Sequence, residues 1–394
     1  MNNFIYYAPT KVIFGTDTEM MSGELLKEAG ANSVMLVHFG YEIQVLGDLV
    51  KRVKKNIIDA GIKVTELTGI VANPRLSKVY EGIELAKKEK VDYLLAIGGG
   101  SSIDTAKAIG LGLCYDGDVW DFFIKTAYPQ DCVPVSCILT IAAAGSEMST
   151  GLVITNDDNL MKRDCGHPSV ACKFAIMNPD ITLSLPAYQT ASGCADIIMH
   201  TFERYISSHD NLDLTDAISE GLMRTVIDNA RILAKEPQNK KARWEVMWAA
   251  SLSHNGLTGC GIDEVDFPIH MIEHELGGMF DVTHGAGITA IWGTWAREML
   301  PILKDRLSKF AINVFGIEKQ NTEEETSLLG IEAMENFFKE IKMPITLKEL
   351  GINPTDDEIE TLATLSIHRT LANPQMKEAV TREQALNILY NSRG

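Results

Sequence analysis

Three of the nine histidines, His270, His274 and His284, fall within fifteen residues. His270 and His274 are four apart, so on a helix they share one face. Gly277 and Gly278 then read as the end of that helix, with His284 returning after a short loop. Asp196 and His200 have the same four-residue spacing, in a stretch (187–207) of helical periodicity. Both pairs sit among apolar neighbours: Ile197, Ile198 and Met199 around one, Ile269, Met271 and Ile272 around the other. Ionisable groups in such surroundings call for a partner or a metal. Three imidazoles and a carboxylate are a donor set for a divalent first-row ion, Fe(II) or Zn(II). An i, i+4 histidine pair taken alone is equally compatible with a surface or a satisfied core position.

A second chemistry-bearing stretch is Gly98-Gly99-Gly100-Ser101-Ser102-Ile103-Asp104. It joins an apolar strand, Tyr93–Ile97, to a helix reaching at least Leu111. Glycines let a ligand approach the backbone, and free amides at a helix N-terminus attract a phosphate. A tight turn with Ser101 or Ser102 as cap accounts for the same residues. After the next strand, the small residues from Thr140 to Ser146 would let a flat ring lie against the backbone. Lys162 follows a polar turn at 156–159 and is solvated by default.

The elements that must carry these residues alternate at first. Strands are expected at Ser33–His38, Lys63–Leu67, Tyr93–Ile97 and Val133–Leu139, with helical patterns at 19–29, 47–60, 76–89 and beyond 100. Alternation of short apolar strands with helices predicts a parallel, doubly wound sheet. Residues 150–183 add strands and turns. From Pro186 on, nearly every segment has helical period, including 214–233, 242–257, 267–276, 288–303, 323–341, 356–365 and 382–390. The sequence thus predicts a doubly wound parallel-sheet domain over 1–185, carrying the candidate phosphate loop, and an all-helical domain over 186–394, carrying the candidate metal residues.

Composition narrows the partners. With 394 residues, 45% hydrophobic and 23% charged, the chain is long enough for two cores. The net charge of −17 without a basic block disfavours nucleic acid and anionic membranes. Seven cysteines with no Cys-x-x-Cys pair fit a reduced, cytoplasmic setting. No basic-then-apolar leader opens the sequence, and no apolar run is long enough to span a bilayer.

Taken together, Pro9-Thr-Lys-Val-Ile-Phe-Gly15, Gly98-Gly-Gly-Ser-Ser-Ile-Asp104, Gly145-Ser-Glu147, Asp196…His200 and His270…His274…His284-Gly285 resemble the iron-containing (group III) alcohol dehydrogenases. The match runs in order over nearly the whole chain. Val246–Gly259 and His270–Leu276 look most like the butanol dehydrogenase and broad aldehyde reductase branch. The resemblance implies a Rossmann-like domain, a helical domain, and a cofactor and metal meeting in the cleft between them. It implies Asp196, His200, His270 and His284 as metal ligands. His274 is then a non-ligand near the nicotinamide, a proton relay. Gly98, Gly99, Gly100, Ser101, Asp104, Thr140, Ser146, Ser149 and Lys162 would hold the cofactor, with Phe39 and Gly40 at its adenosine end. Ala144 stands where many members have a hydroxyl. No carboxylate follows the second strand until Glu42, which tilts the expected cofactor toward NADP(H), with NAD(H) as the alternative. A short-chain alcohol or aldehyde is the expected substrate, Phe267, Met148, Trp248 and Leu257 the apolar candidates to line its pocket, and a homodimer through the 4–14 segment the expected assembly. The competing reading, a dehydroquinate-synthase-like lyase on a phosphorylated substrate, needs cations near the metal. Residues 262–284 contain no Lys or Arg.

Overall fold

The structure is a computed structural model that describes residues 1–208, 212–262, 265, 267–368 and 379–394. The chain forms two compact units, Tyr7–Leu185, and Pro186–Gly394 together with Met1–Tyr6. The first six residues, which the sequence placed with the first domain, pack on the second unit instead. The Asn2 amide donates to the Gly261 carbonyl at 3.1 Å, and Asn255 donates to the Tyr6 hydroxyl at 3.3 Å.

The first unit is built on a six-stranded sheet, β1 (Lys11–Phe14), β2 (Ser33–His38), β3 (Lys63–Leu67), β4 (Tyr93–Gly98), β5 (Val135–Leu139) and β8 (Phe174–Met177), in the order β1-β8-β5-β4-β2-β3. Every pairing is parallel. All residues of β2, β4, β5 and β8 are buried, as continuous apolar strands in a helix-covered sheet must be. Helices α1 (Ser22–Glu28) and α2 (Gln44–Asp59) pack on each other, and α3 (Leu76–Glu89) packs on α4 (Gly100–Leu113). The polar turn at 156–159 joins an antiparallel hairpin, β6 (Gly151–Thr155) and β7 (Lys162–Gly166). Lys162 opens β7 and is buried rather than solvated, with its Nζ donating to Asn73 Oδ1 at 3.1 Å.

The second unit contains no strand among the described residues. Its long helices are α5 (Ala187–Ser207), α6 (Asp213–Lys235), α7 (Lys240–His254), α8 (Pro268–Phe280), α9 (His284–Phe315) and α10 (Glu323–Glu340). The short α11 (Leu347–Leu350), α12 (Asp356–Ser366) and α13 (Arg382–Asn391) complete it. Several boundaries differ from the sequence expectation by a few residues, and two of them bear on the site. Gly277 and Gly278 do not end α8; both are buried within it, and the helix stops at Asp281, whose backbone is left-handed (φ 52°). A helical glycine costs about 1 kcal/mol relative to alanine, less than burial of a whole helix returns. Helix α9 begins at His284 and runs through Pro301, well beyond the expected 288–303.

Candidate metal centre and nucleotide loop

Three helices bring the metal candidates together. Asp196 and His200 lie one turn apart on α5, His270 is in the first turn of α8, and His284 is the first residue of α9. Gly285 explains how α9 comes so close. A Cβ there would lie 2.1 Å from the Ser192 carbonyl oxygen of α5, so any side chain would push the start of α9 off α5.

The geometry converges on one atom. The Nε2 atoms of His200, His270 and His284 stand 3.3, 3.5 and 3.5 Å from Asp196 Oδ1. One donor atom from each of the four residues lies within 4.8 Å of all the others. A tetrahedral ion with bonds of about 2.1 Å separates its ligands by about 3.4 Å. Asp196 Oδ1, His270 Nε2 and both ring nitrogens of His200 are sealed from solvent yet make no geometric hydrogen bond. Asp196 Oδ1 and the Nε2 atoms of His200 and His270 face one another in this cluster, and buried ligand atoms left without hydrogen bonds fit a metal ion.

Sequence spacing did not reveal what orients the imidazoles. Glu203, one turn after His200 and fully buried, pairs its Oε2 with His270 Nδ1. Its Oε1 accepts from the Ile269 and His270 amides at 2.7 and 3.4 Å, capping the N-terminus of α8, where Phe267 offers no side-chain cap. Glu273, also fully buried, pairs with His284 Nδ1 in the same way. A carboxylate on Nδ1 keeps the proton there and leaves Nε2 as the ligating lone pair. The i, i+3 spacing of His200 with Glu203 and of His270 with Glu273 is the only sequence signal these residues carry.

Electrostatics agree with a cation here. Burial drives His200 down to about 3, and His270 adds to the fall. Burial acts downward on His270 too, but the Glu203 and Asp196 carboxylates outweigh it and hold it up at about 9. Burial alone would raise Asp196; the His284 and His200 imidazoles beside it hold it well below the usual carboxylate range. Three buried carboxylates around three imidazoles are a set that a divalent ion neutralises. His274 is not among the four. Its buried ring is 6.4 Å from that of His270 and 5.8 Å from that of His284, and it groups with Glu273 and His284. Of the pocket candidates, Phe267 stands beside the cluster, 5.6 Å ring to ring from His270, whereas Trp248 is 41% exposed.

In the first unit, β2 leads outward to β3 on one side, and the chain then returns to β4 on the other. Ligands of open α/β sheets sit at the carboxyl ends of strands where the order switches in this way. Phe39 and Gly40 follow β2 there, and Gly98–Ser101 join β4 to α4. A Cβ on Gly99 would meet Ile141 at 2.3 Å, so the loop after β5 lies directly against the turn. Thr140 is buried, and its amide donates to the Gly98 carbonyl at 3.0 Å. Asp104 is buried and accepts from the Val153 amide at 2.9 Å, tying α4 to β6.

Lys107 is the residue in this region that the sequence did not single out. It is fully buried, and its ammonium donates to the carbonyls of Ser146, Ser149 and Gly151 at 2.8, 2.9 and 2.9 Å. The helix that begins at the glycine loop thereby grips the loop after β5, including Ser146 and Ser149. Substitution by methionine takes the charged donor away from three carbonyls, of which Ser146 keeps only a 3.4 Å bond from the Ser149 amide, and each loss is worth about 1–3 kcal/mol. Lys107→Met is expected to lower stability by about 3 kcal/mol in urea denaturation and to weaken nucleotide binding about tenfold or more. A change under about 1 kcal/mol would show that the grip is dispensable.

A parallel sheet with a glycine-rich strand–helix turn, and a helical unit carrying three imidazoles around a carboxylate, define a nucleotide-linked metalloenzyme. The model for iron-containing alcohol dehydrogenase matches residues 9–179, and that for the C-terminal part of the Fe-containing alcohol dehydrogenase family matches 190–392. The chain belongs to the iron-containing alcohol dehydrogenase family. It is similar to a probable NADH-dependent butanol dehydrogenase of Bacillus subtilis (36% identical, all of both chains) and to the NADPH-dependent aldehyde reductase YqhD of Escherichia coli (30%, 90% of both). Among solved structures it resembles the NADH-dependent butanol dehydrogenase A of Thermotoga maritima, with a TM-score of 0.94 and 33% identity over 100% of this chain and 99% of that one.

Proposed function

We propose that this protein interconverts short-chain primary alcohols and aldehydes of the butanol/butyraldehyde kind, with one divalent ion, Fe(II) or Zn(II), held by Asp196, His200, His270 and His284. The observation that carries the reading is the convergence of three Nε2 atoms on Asp196 Oδ1 at 3.3–3.5 Å. When bound, such an ion polarises the substrate oxygen, and a nicotinamide exchanges the hydride. The residues do the rest. Glu203 and Glu273 hold the imidazoles in their ligating tautomer. His274, buried beside His284, relays the proton that leaves or joins the substrate oxygen. Gly98–Ser101, Thr140, Ser146, Ser149 and Lys162 seat the nucleotide, with Lys107 and Asp104 fixing the loops that carry them.

For the adenosine end, the structure adds two carboxylates to the sequence argument. Glu42 folds back over the turn after β2, so that a Cβ on Gly40 would lie 2.3 Å from its Oε2. Glu66 stands on the neighbouring β3, bonded to the Tyr41 hydroxyl and to Lys54. Carboxylates there suit a ribose hydroxyl and repel a 2′-phosphate, which favours NADH over the NADPH expected from the strand end alone. Strand β1 lies at one edge of the sheet, open to pairing across a two-fold axis in a homodimer. All seven cysteines are free thiols, in keeping with a reducing cytoplasm.

Metal-loaded protein mixed with butyraldehyde and NADH is expected to lose absorbance at 340 nm, faster than with NADPH at equal concentration. No decay with either nucleotide across several short aldehydes would sink the dehydrogenase reading; faster decay with NADPH would reverse only the cofactor preference.

A further inference from the structure

A fifth histidine stands beside the metal set without belonging to it. His254, the last residue of α7, packs its ring 4.1 Å from that of His200, edge to face, and 6.4 Å from Phe267. Its donor atoms are not among the four-residue set that lies within 4.8 Å. It is therefore next to a ligand and not itself one.

Its orientation is locked by Arg204. That buried guanidinium donates to the carbonyls of His200 at 2.7 Å and Ser253 at 3.0 Å, lies over the Phe267 ring at 4.8 Å, and meets His254 Nδ1 at 3.0 Å. Arginine has only donors. His254 Nδ1 must then offer its lone pair, and the ring proton sits on Nε2. That N–H has no acceptor among the described residues, and the imidazole is partly exposed. An oriented donor, one ring away from the metal set and without an acceptor among the described residues, is built for a ligand atom.

We propose that His254 is a specificity residue whose Nε2–H donates to an oxygen substituent on the carbon chain of the bound substrate. The site then accepts hydroxyaldehydes, and the diols they are reduced to, alongside unsubstituted aldehydes, and better than a site with an apolar residue at 254 would. An apolar side chain at 254 could not do the same, because a hydroxyl brought against it loses its water and gains no partner. The inference rests on the alcohol dehydrogenase reading above.

The test compares kcat/KM for lactaldehyde and for propanal in metal-loaded wild type, His254→Leu and His254→Gln, with bound metal measured in each. The lactaldehyde-to-propanal ratio is expected to fall about tenfold in the leucine variant, the loss that accompanies one hydrogen bond. His254→Gln, which retains an N–H donor, is expected to recover most of it. A purely structural role for His254 lowers both substrates alike and leaves the ratio where it was, which would overturn the proposal; so would a glutamine variant as poor as the leucine one. Wild-type protein that reduces neither aldehyde brings down the dehydrogenase reading as well, whereas reduction of both with an unchanged ratio brings down this inference alone.

Discussion

His270→Ala protein is expected to purify with almost no bound metal and to lose activity by about a thousandfold or more, the scale of removing a Lewis acid from the reacting oxygen. His270 Nε2 is one of three nitrogens at 3.3–3.5 Å from Asp196 Oδ1, and no other described side chain of the set can replace it. Fold should survive the substitution. Glu203, which would otherwise be left as a bare buried carboxylate, keeps its 2.7 Å bond from the Ile269 amide and continues to cap α8. Nucleotide affinity should also survive, because the glycine loop belongs to the other compact unit. Elemental analysis, circular dichroism and a fluorescence titration with NADH check the three statements separately. Near wild-type turnover by a metal-free variant would show that the four residues are not the reactive centre.

The second large effect is expected from a residue that touches no substrate. Glu203→Gln preserves size and keeps an acceptor for the Ile269 amide. It also turns an –NH2 toward His270 Nδ1, which now has to accept. The imidazole proton moves to Nε2, the atom that faces Asp196, and the ligating lone pair is gone. Loss of such a partner typically weakens metal binding by about 10–100-fold. Competition with a chelator of known affinity measures this directly. If the variant binds metal as tightly as wild type, the carboxylate is only a helix cap. Comparing the two variants separates removal of a ligand from misorientation of one, since His270→Ala should not be rescued by excess metal and Glu203→Gln should be.

Much of this arrangement was legible in the residues. Buried parallel strands write themselves as short apolar runs, so β2, β3 and β4 begin where expected and end within a residue of it. The helical period of α5 placed Asp196 and His200 on one face, and a three-histidine, one-carboxylate metal set was in view from residue types alone. The resemblance to a known family divided the histidines, putting His270 and His284 in the set and His274 outside it. Period could not do that. Spacing of four makes His270 and His274 neighbours on α8, but whether both reach the same point depends on what packs against each, and His284 arrives from a different helix.

What only tertiary structure decided was contact between elements distant in sequence. Glu203 lies 67 residues from His270 and reaches both its ring and the amides that begin its helix. Arg204, 50 residues from His254, sets that ring's tautomer. Lys107 reads as an ordinary helix lysine until its ammonium is found among the carbonyls of Ser146, Ser149 and Gly151. Gly277 and Gly278 looked like a helix end because local propensity says so, and packing overrode it. Residue type and period determine which groups a helix or strand presents. Which of those groups meet, and which atom of each is free to bind, is settled when buried donors and acceptors must find partners across the fold.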